Sequence, residues 1–167
     1  FLPNLERDRK IITQEDLRLI EPLAKKFSKL DLKKLPHCLV HGDIIKTNTV
    51  KDLQGKIWIL DFSVADRYPR IQELAVLFCN LLFDEKHPEK FEEYYQFGLK
   101  EYQKVRQLSQ LEADTLPLFV QAAHAMHVIC PTHEEVINGN TSEENRYWLQ
   151  LGRIGLKYTL QEWSRGV

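Results

Sequence analysis

No stretch of this 167-residue chain approaches the run of about 18 apolar residues that a helix needs to cross a bilayer, so no membrane partner is expected. Net charge is also nearly missing. Lys and Arg number 23 against 24 Asp and Glu, and a balance of −1 leaves no basic footprint for DNA or RNA. Cysteine is scarce and odd in number. Cys38, Cys79 and Cys130 are scattered, two of them inside apolar runs where a free thiol acts as a small hydrophobe, so a reducing, cytoplasmic location is expected. FLPNLERDRK at the start lacks the layout of an export signal, since its charges follow its apolar residues. Asn140-Thr141-Ser142 fits a glycosylation acceptor, but with no export signal it reads as an ordinary loop.

What is present can fold. With 43% apolar and 28% charged residues the chain can bury a core, and its length allows one domain or one large lobe of something bigger. From Thr13, with Asp16 three residues on, Leu17, Ile20, Ala24, Phe27 and Leu30 recur at helical spacing. Residues 37–62 change character. HCLVH, NTV and KIWILDF are short strand-like runs, and Gly55 in KDLQGK suits a hairpin turn, which predicts a small antiparallel ribbon. Beyond Pro69, IQELAVLFCNLLF reads as a buried helix. Pro88 opens another, whose aromatic residues Phe91, Tyr94, Tyr95, Phe97 and Tyr102 read as packing rather than a stacking platform. LPLFVQAAHAMHVI predicts a helix that stops before Pro131, EEVINGNTS a loop, and Ser142 a cap for a last helix to about Trp163. The fold class expected is α+β and mostly helical. Residues 1–36 form a leading helix and linker, 37–69 carry polar loops, and 70–167 form a helical subdomain.

The polar residues at the strand ends need a chemical explanation. LVHGDIIKTNTV runs an apolar strand into His41-Gly42-Asp43 and places Asn48 five positions after the Asp, while IWIL ends in Asp61. Two carboxylates about 5 Å apart repel by roughly 3 kcal/mol at an effective dielectric of 20, so such a pair shares a proton or holds a cation. The Asp61 carboxylate and the Asn48 carbonyl are the oxygen donors a hard ion such as Mg²⁺ takes, completed by phosphates and water. Asp43 is then free to accept a proton from an attacking hydroxyl, a role worth about 10²–10⁴-fold in rate. His127, Cys130 and His133 are spaced by three, but no fourth ligand is evident and Pro131 interrupts them, so core and loop roles are expected there rather than zinc.

HGD-x4-N followed by an apolar strand and Asp61-Phe62 resembles the catalytic and metal-binding signature of the aminoglycoside phosphotransferase and choline kinase superfamily. These are small-molecule relatives of protein kinases. Glu73-Leu74-Ala75, twelve residues after Asp61, stands where that family has Asp-Leu-Ala. The resemblance covers residues 37–83 well and the flanking helices in outline. It implies Asp43 as catalytic base, Asn48 and Asp61 as ligands of Mg²⁺ on ATP, and His41 and Glu73 as structural support. Val50 and Leu60 would form an apolar floor for adenine, and Lys46 a possible phosphate contact. Catalysis in such a site is mainly positioning and charge stabilisation. Glu134, Glu135, Glu143, Glu144 and Trp148 are the candidates for a wall facing a small hydroxyl acceptor, where acidic residues would attract a cationic one.

Three positions depart from the family pattern: Ser63 where Gly is frequent, Glu73 for Asp, and Lys46 where Pro is common. The seven glycines form no glycine-rich phosphate hairpin, and no V-A-x-K strand precedes residue 39. The expectation is therefore a C-terminal lobe without its N-terminal β lobe, inactive alone, its first partner being that lobe. The competing expectation is a non-catalytic helical binding module derived from such a lobe. The joint presence of Asp43, Asn48 and Asp61 weighs against it.

Overall fold

A proline near the start of a helix costs no hydrogen bond, and Pro3 stands at the opening of a short first helix, α1 (Leu2–Asp8). This computed structural model describes residues 1–163. Helix α2 (Gln14–Phe27) begins as its spacing predicts. The Thr13 hydroxyl accepts from the Asp16 N–H at 3.2 Å and donates to the Asp16 carboxylate at 2.7 Å. Pro22 lies inside α2 on its exposed side, so the Arg18 carbonyl it leaves without a helical partner lies on a face open to water. There follow β1 (His37–Val40), β2 (Thr49–Lys51), β3 (Ile57–Ile59), β4 (Asp66–Pro69) and α3 (Ile71–Leu77). Helix α3 continues into a π-helical turn over Phe78–Leu82, and α4 (Phe91–Val105), α5 (Gln110–Val136) and α6 (Glu143–Glu162) complete the order. None of the helices among the described residues is long and apolar enough to cross a membrane.

The chain divides into two compact units. One comprises residues 31–83 and 89–120 and holds all four strands. Here β1 pairs antiparallel with β4, Val40 opposite Asp66, and β2 pairs with β3, Val50 opposite Trp58. The β2–β3 turn is closed by Asp52, whose Oδ1 accepts from the N–H groups of Gln54 and Lys56, and Gly55 takes the left-handed φ of 84°. Its core gathers Ile71, Leu74, Phe78, Phe91 and Tyr95, with Phe78 and Tyr95 edge to face at 5.0 Å. At one end the Arg70 guanidinium bonds the fully buried Glu112 carboxylate, Nη2 at 2.7 Å, and Ser109 donates to the same group through its N–H and its hydroxyl.

The other unit comprises, of the described residues, 1–30, 84–88 and 121–163. Its axis is a close crossing of α5 and α6 at Gly152 and Gly155. A Cβ on Gly155 would fall 2.2 Å from the imidazole of buried His124, and one on Gly152 2.7 Å from the backbone of His127. Arg153 reaches α2 as a fork on Asp16, at 3.0 and 2.7 Å, and Asp8 of α1 accepts from Arg7 and contacts His133 Nδ1 at 2.8 Å.

Four expectations are corrected. Helix α5 does not stop before Pro131 but runs on to Val136. A mid-helix proline costs about 3 kcal/mol, and here packing outweighs it: Val128 and Ile129 on the preceding turn are wholly buried, and Asn145 Nδ2 donates to the Pro131 carbonyl at 2.9 Å. The single ribbon is two separate two-stranded sheets, because β4, unread in the sequence, takes β1 as its partner. Helix α1 was also unread. Of the aromatic residues on α4, Phe91 and Tyr95 are core, but Phe97 is exposed.

Candidate active site

His41 organises the polar loops. Its Nδ1 accepts from the Asp43 N–H at 3.2 Å, so the proton sits on Nε2, which donates to the Leu60 carbonyl at 2.7 Å. The ring is buried, edge to face with Phe62 at 4.7 Å. One imidazole therefore joins the backbone at Asp43 to the residue before Asp61. Asn48 makes a second connection. Its Nδ2 donates to both the carbonyl and Oδ2 of Asp43, each at 3.0 Å, and its backbone carbonyl accepts from the Leu60 N–H at 2.8 Å. Asp43, Asn48 and the Leu60–Asp61 step thus form a closed circuit of hydrogen bonds, although they lie on three different segments.

The backbone explains why these loops take this course. Gly42 has φ 82°, and a Cβ there would sit 3.4 Å from the Val64 carbonyl, so the loop after Asp61 lies directly against the loop before Asp43. Asp61 itself has φ 61° and is alone in this among non-glycine residues described. Such a backbone is stored strain of about 1–2 kcal/mol, eased for Asp by local hydrogen bonding. The bonding is present. The Ser63 hydroxyl and then its N–H, 3.1 Å from Oδ1, hold the Asp61 carboxyl below the usual carboxylate range, so Asp61 is ionised at neutral pH. Glu73 on α3 accepts from the N–H of His41 and, at 3.3 Å, from that of Gly42. A glutamate in this place reaches the amides directly.

The sequence profile of the phosphotransferase enzyme family matches residues 1–108, well over half of the chain and all of this site. The chain belongs to that family. None of the curated proteins matches it. Among solved structures it is similar to amicoumacin kinase hAmiN in complex with AMP-PNP, Ca²⁺ and Ami. The TM-score is 0.57 and the identity 19%, over 90% of this chain and 46% of that one. At such identity the likeness concerns the fold, and it gives the fold as the C-terminal lobe of a kinase-like protein. The chain spans less than half the length of that relative.

The other anticipated residues of this phosphotransferase-family chain are distributed unevenly. Val50 and Leu60 lie in and beside the β2–β3 hairpin, 45% and 47% exposed, and Lys46 is exposed in the turn that carries Asn48. Glu134, Glu135, Glu143, Glu144 and Trp148 belong to the other unit, at the end of α5 and the start of α6. Of these, Glu134 accepts from Asn138 Nδ2 at 3.0 Å, and the Trp148 ring lies against His127 at 5.1 Å. Two contributors escaped the sequence reading. Phe62 backs the His41 ring, and Asn80, in the π-helical turn, donates through Nδ2 to the Ile44 carbonyl at 3.2 Å. A lone amide within LFCNLLF was the available signal for the second.

Two of these side chains could hold a hard dication. With its NH₂ given to Asp43, Asn48 has its side-chain carbonyl oxygen left over, and Asp61 has an ionised carboxylate, both oxygen donors of the kind such an ion takes.

Proposed function

We propose that this chain is the C-terminal lobe of an ATP-dependent phosphotransferase that moves the γ-phosphate to a hydroxyl of a small polar metabolite. The hydrogen-bonded circuit through Asp43, Asn48, His41 and Leu60 carries this reading, because it ties a proton acceptor to the Asn48 amide and to the residue before Asp61. In it Asp43 accepts the proton of the attacking hydroxyl, its Oδ2 held by the Asn48 amide. Asn48 and Asp61 hold Mg²⁺, which supplies charge neutralisation on the nucleotide phosphates. The exposed side chains of Val50 and Leu60 serve the adenine, and Lys46 a phosphate oxygen. The carboxylates of Glu134, Glu135, Glu143 and Glu144, with Trp148, favour a cationic acceptor such as an amino alcohol, homoserine or an aminoglycoside. The reaction belongs in the cytoplasm, where ATP is abundant. The activity is that of the whole enzyme, and the 167 residues alone are expected to be inactive.

Two variants of the full-length protein separate the roles. Asp43→Asn should lower kcat about 10²–10⁴-fold with the affinity for Mg-AMP-PNP nearly intact, whereas Asp61→Asn should weaken that affinity itself. Both quantities follow from ADP release and calorimetric titration. Equal and trivial effects of the two substitutions would remove the basis for this assignment.

A further inference from the structure

We propose that Asn80 is a positioning residue for Asp43, an inference that rests on the phosphotransferase reading above. Asn80 is 8% exposed and lies seven residues after Glu73 on the same helical element, and both side chains bond the same loop. Glu73 holds the amides of His41 and Gly42, while Asn80 holds the carbonyl of Ile44. Asp43 lies between these two anchors, its backbone fixed on both sides by a single helical element.

The amide's orientation is forced. Exchanging its nitrogen and oxygen would set two carbonyl oxygens against each other, so Nδ2 must face Ile44 and Oδ1 must point away. No described residue donates to that buried Oδ1. A buried acceptor left without a donor works against stability. An asparagine here is thus poorly explained by packing and well explained by its hold on the loop.

The π-helical turn is part of the device. Phe83 donates to the Phe78 carbonyl five residues back at 3.0 Å, and the Cys79 thiol donates to the Val120 carbonyl, so the turn carrying Asn80 is fixed from both sides. A π-helical turn admits one extra residue, which resets the direction of the side chains after it, and such turns occur often at functional sites.

Asn80→Leu in the full-length protein is the test, since leucine keeps the bulk, removes the orphan oxygen and deletes the bond to Ile44. One unpaired buried acceptor is exchanged for another, so Tm should stay within a few degrees of wild type. Amide hydrogen exchange over residues 43–47 should quicken about tenfold or more. In the active enzyme, with Mg-ATP and water as acceptor, kcat for ADP release should fall about 10- to 100-fold, with Kd for Mg-AMP-PNP changed less than about twofold. Val128→Ala, a cavity variant in the core of the other unit, provides the comparison and should lower Tm while leaving kcat unchanged. Unchanged exchange over 43–47 overturns the proposal whatever the activity, as does an unchanged kcat in N80L. A wild-type enzyme that neither binds Mg-AMP-PNP nor releases ADP, with faster loop exchange in N80L, would refute the phosphotransferase reading and still support the hold of Asn80 on the loop.

Discussion

His41 illustrates how one side chain can fix the relation between two loops. A ring that accepts at Nδ1 and donates at Nε2 leaves no orientational freedom, and Phe62 closes its remaining edge. Gly42 is the counterpart in the backbone. Substituting Gly42→Ala would force a side chain into a φ of 82°, with its Cβ in contact with the Val64 carbonyl at 3.4 Å. The expected loss is about 1–2 kcal/mol of stability, measured by urea denaturation, together with reduced turnover because the loop after Asp61 would shift. At this scale the residues that the structure joins by hydrogen bonds across the loops were conspicuous in advance. Asp43, Asn48 and Asp61 could be singled out because polar residues at the ends of apolar strands are chemically conspicuous. The φ of Asp61 and the part played by Asn80 could not, since one depends on the fold of its neighbours and the other on a bond to a residue 36 positions away.

Among the elements, those with capping signals were read correctly, while α1, despite Pro3 at its start, and those made by distant partners were not. Thr13 and Ser142 cap α2 and α6 through the N–H groups of Asp16 and Asn145, each three residues on, a pattern contained within one turn. By contrast, DRYP is strand only because β1 lies beside it, and Pro131 stays helical only because burial around Val128 and Ile129 outweighs its local cost. The α5–α6 crossing belongs with these. Gly155→Ala would drive a methyl group into the His124 ring, at 2.2 Å before relaxation. Overpacking of this kind typically costs about 1–3 kcal/mol, and a thermal melt should show the loss with no change in helix content.

For the whole molecule, acid is the revealing variable. Burial, with the neighbouring His127 adding to it, depresses the pKa of His124 well below 6.5, and burial brings His127 down to about 4. The unfolded chain therefore takes up protons between pH 6.5 and 4 that the folded chain refuses, and stability present above pH 6.5 is lost as pH falls through that window. Glu112, held down to about 2 by the Arg70 guanidinium and then by Ser109, adds a second loss as pH falls from 4.5 towards 2. At about 1.4 kcal/mol per pH unit, Glu112 alone contributes roughly 3 kcal/mol at neutrality. Denaturation followed from pH 7.5 to 2.5 should show both stages, and H124F/H127F should flatten the first while leaving the second.

The β2–β3 hairpin has a practical consequence. Val50, Ile57, Trp58, Ile59 and Leu60 all stand open to solvent on a ribbon of two strands, both of them edges. Unpaired edges lined with bulky apolar groups are where chains add to one another. Prepared in isolation at high concentration, these 167 residues are prone to clump, and arginine or a mild detergent in the buffer is the rational remedy.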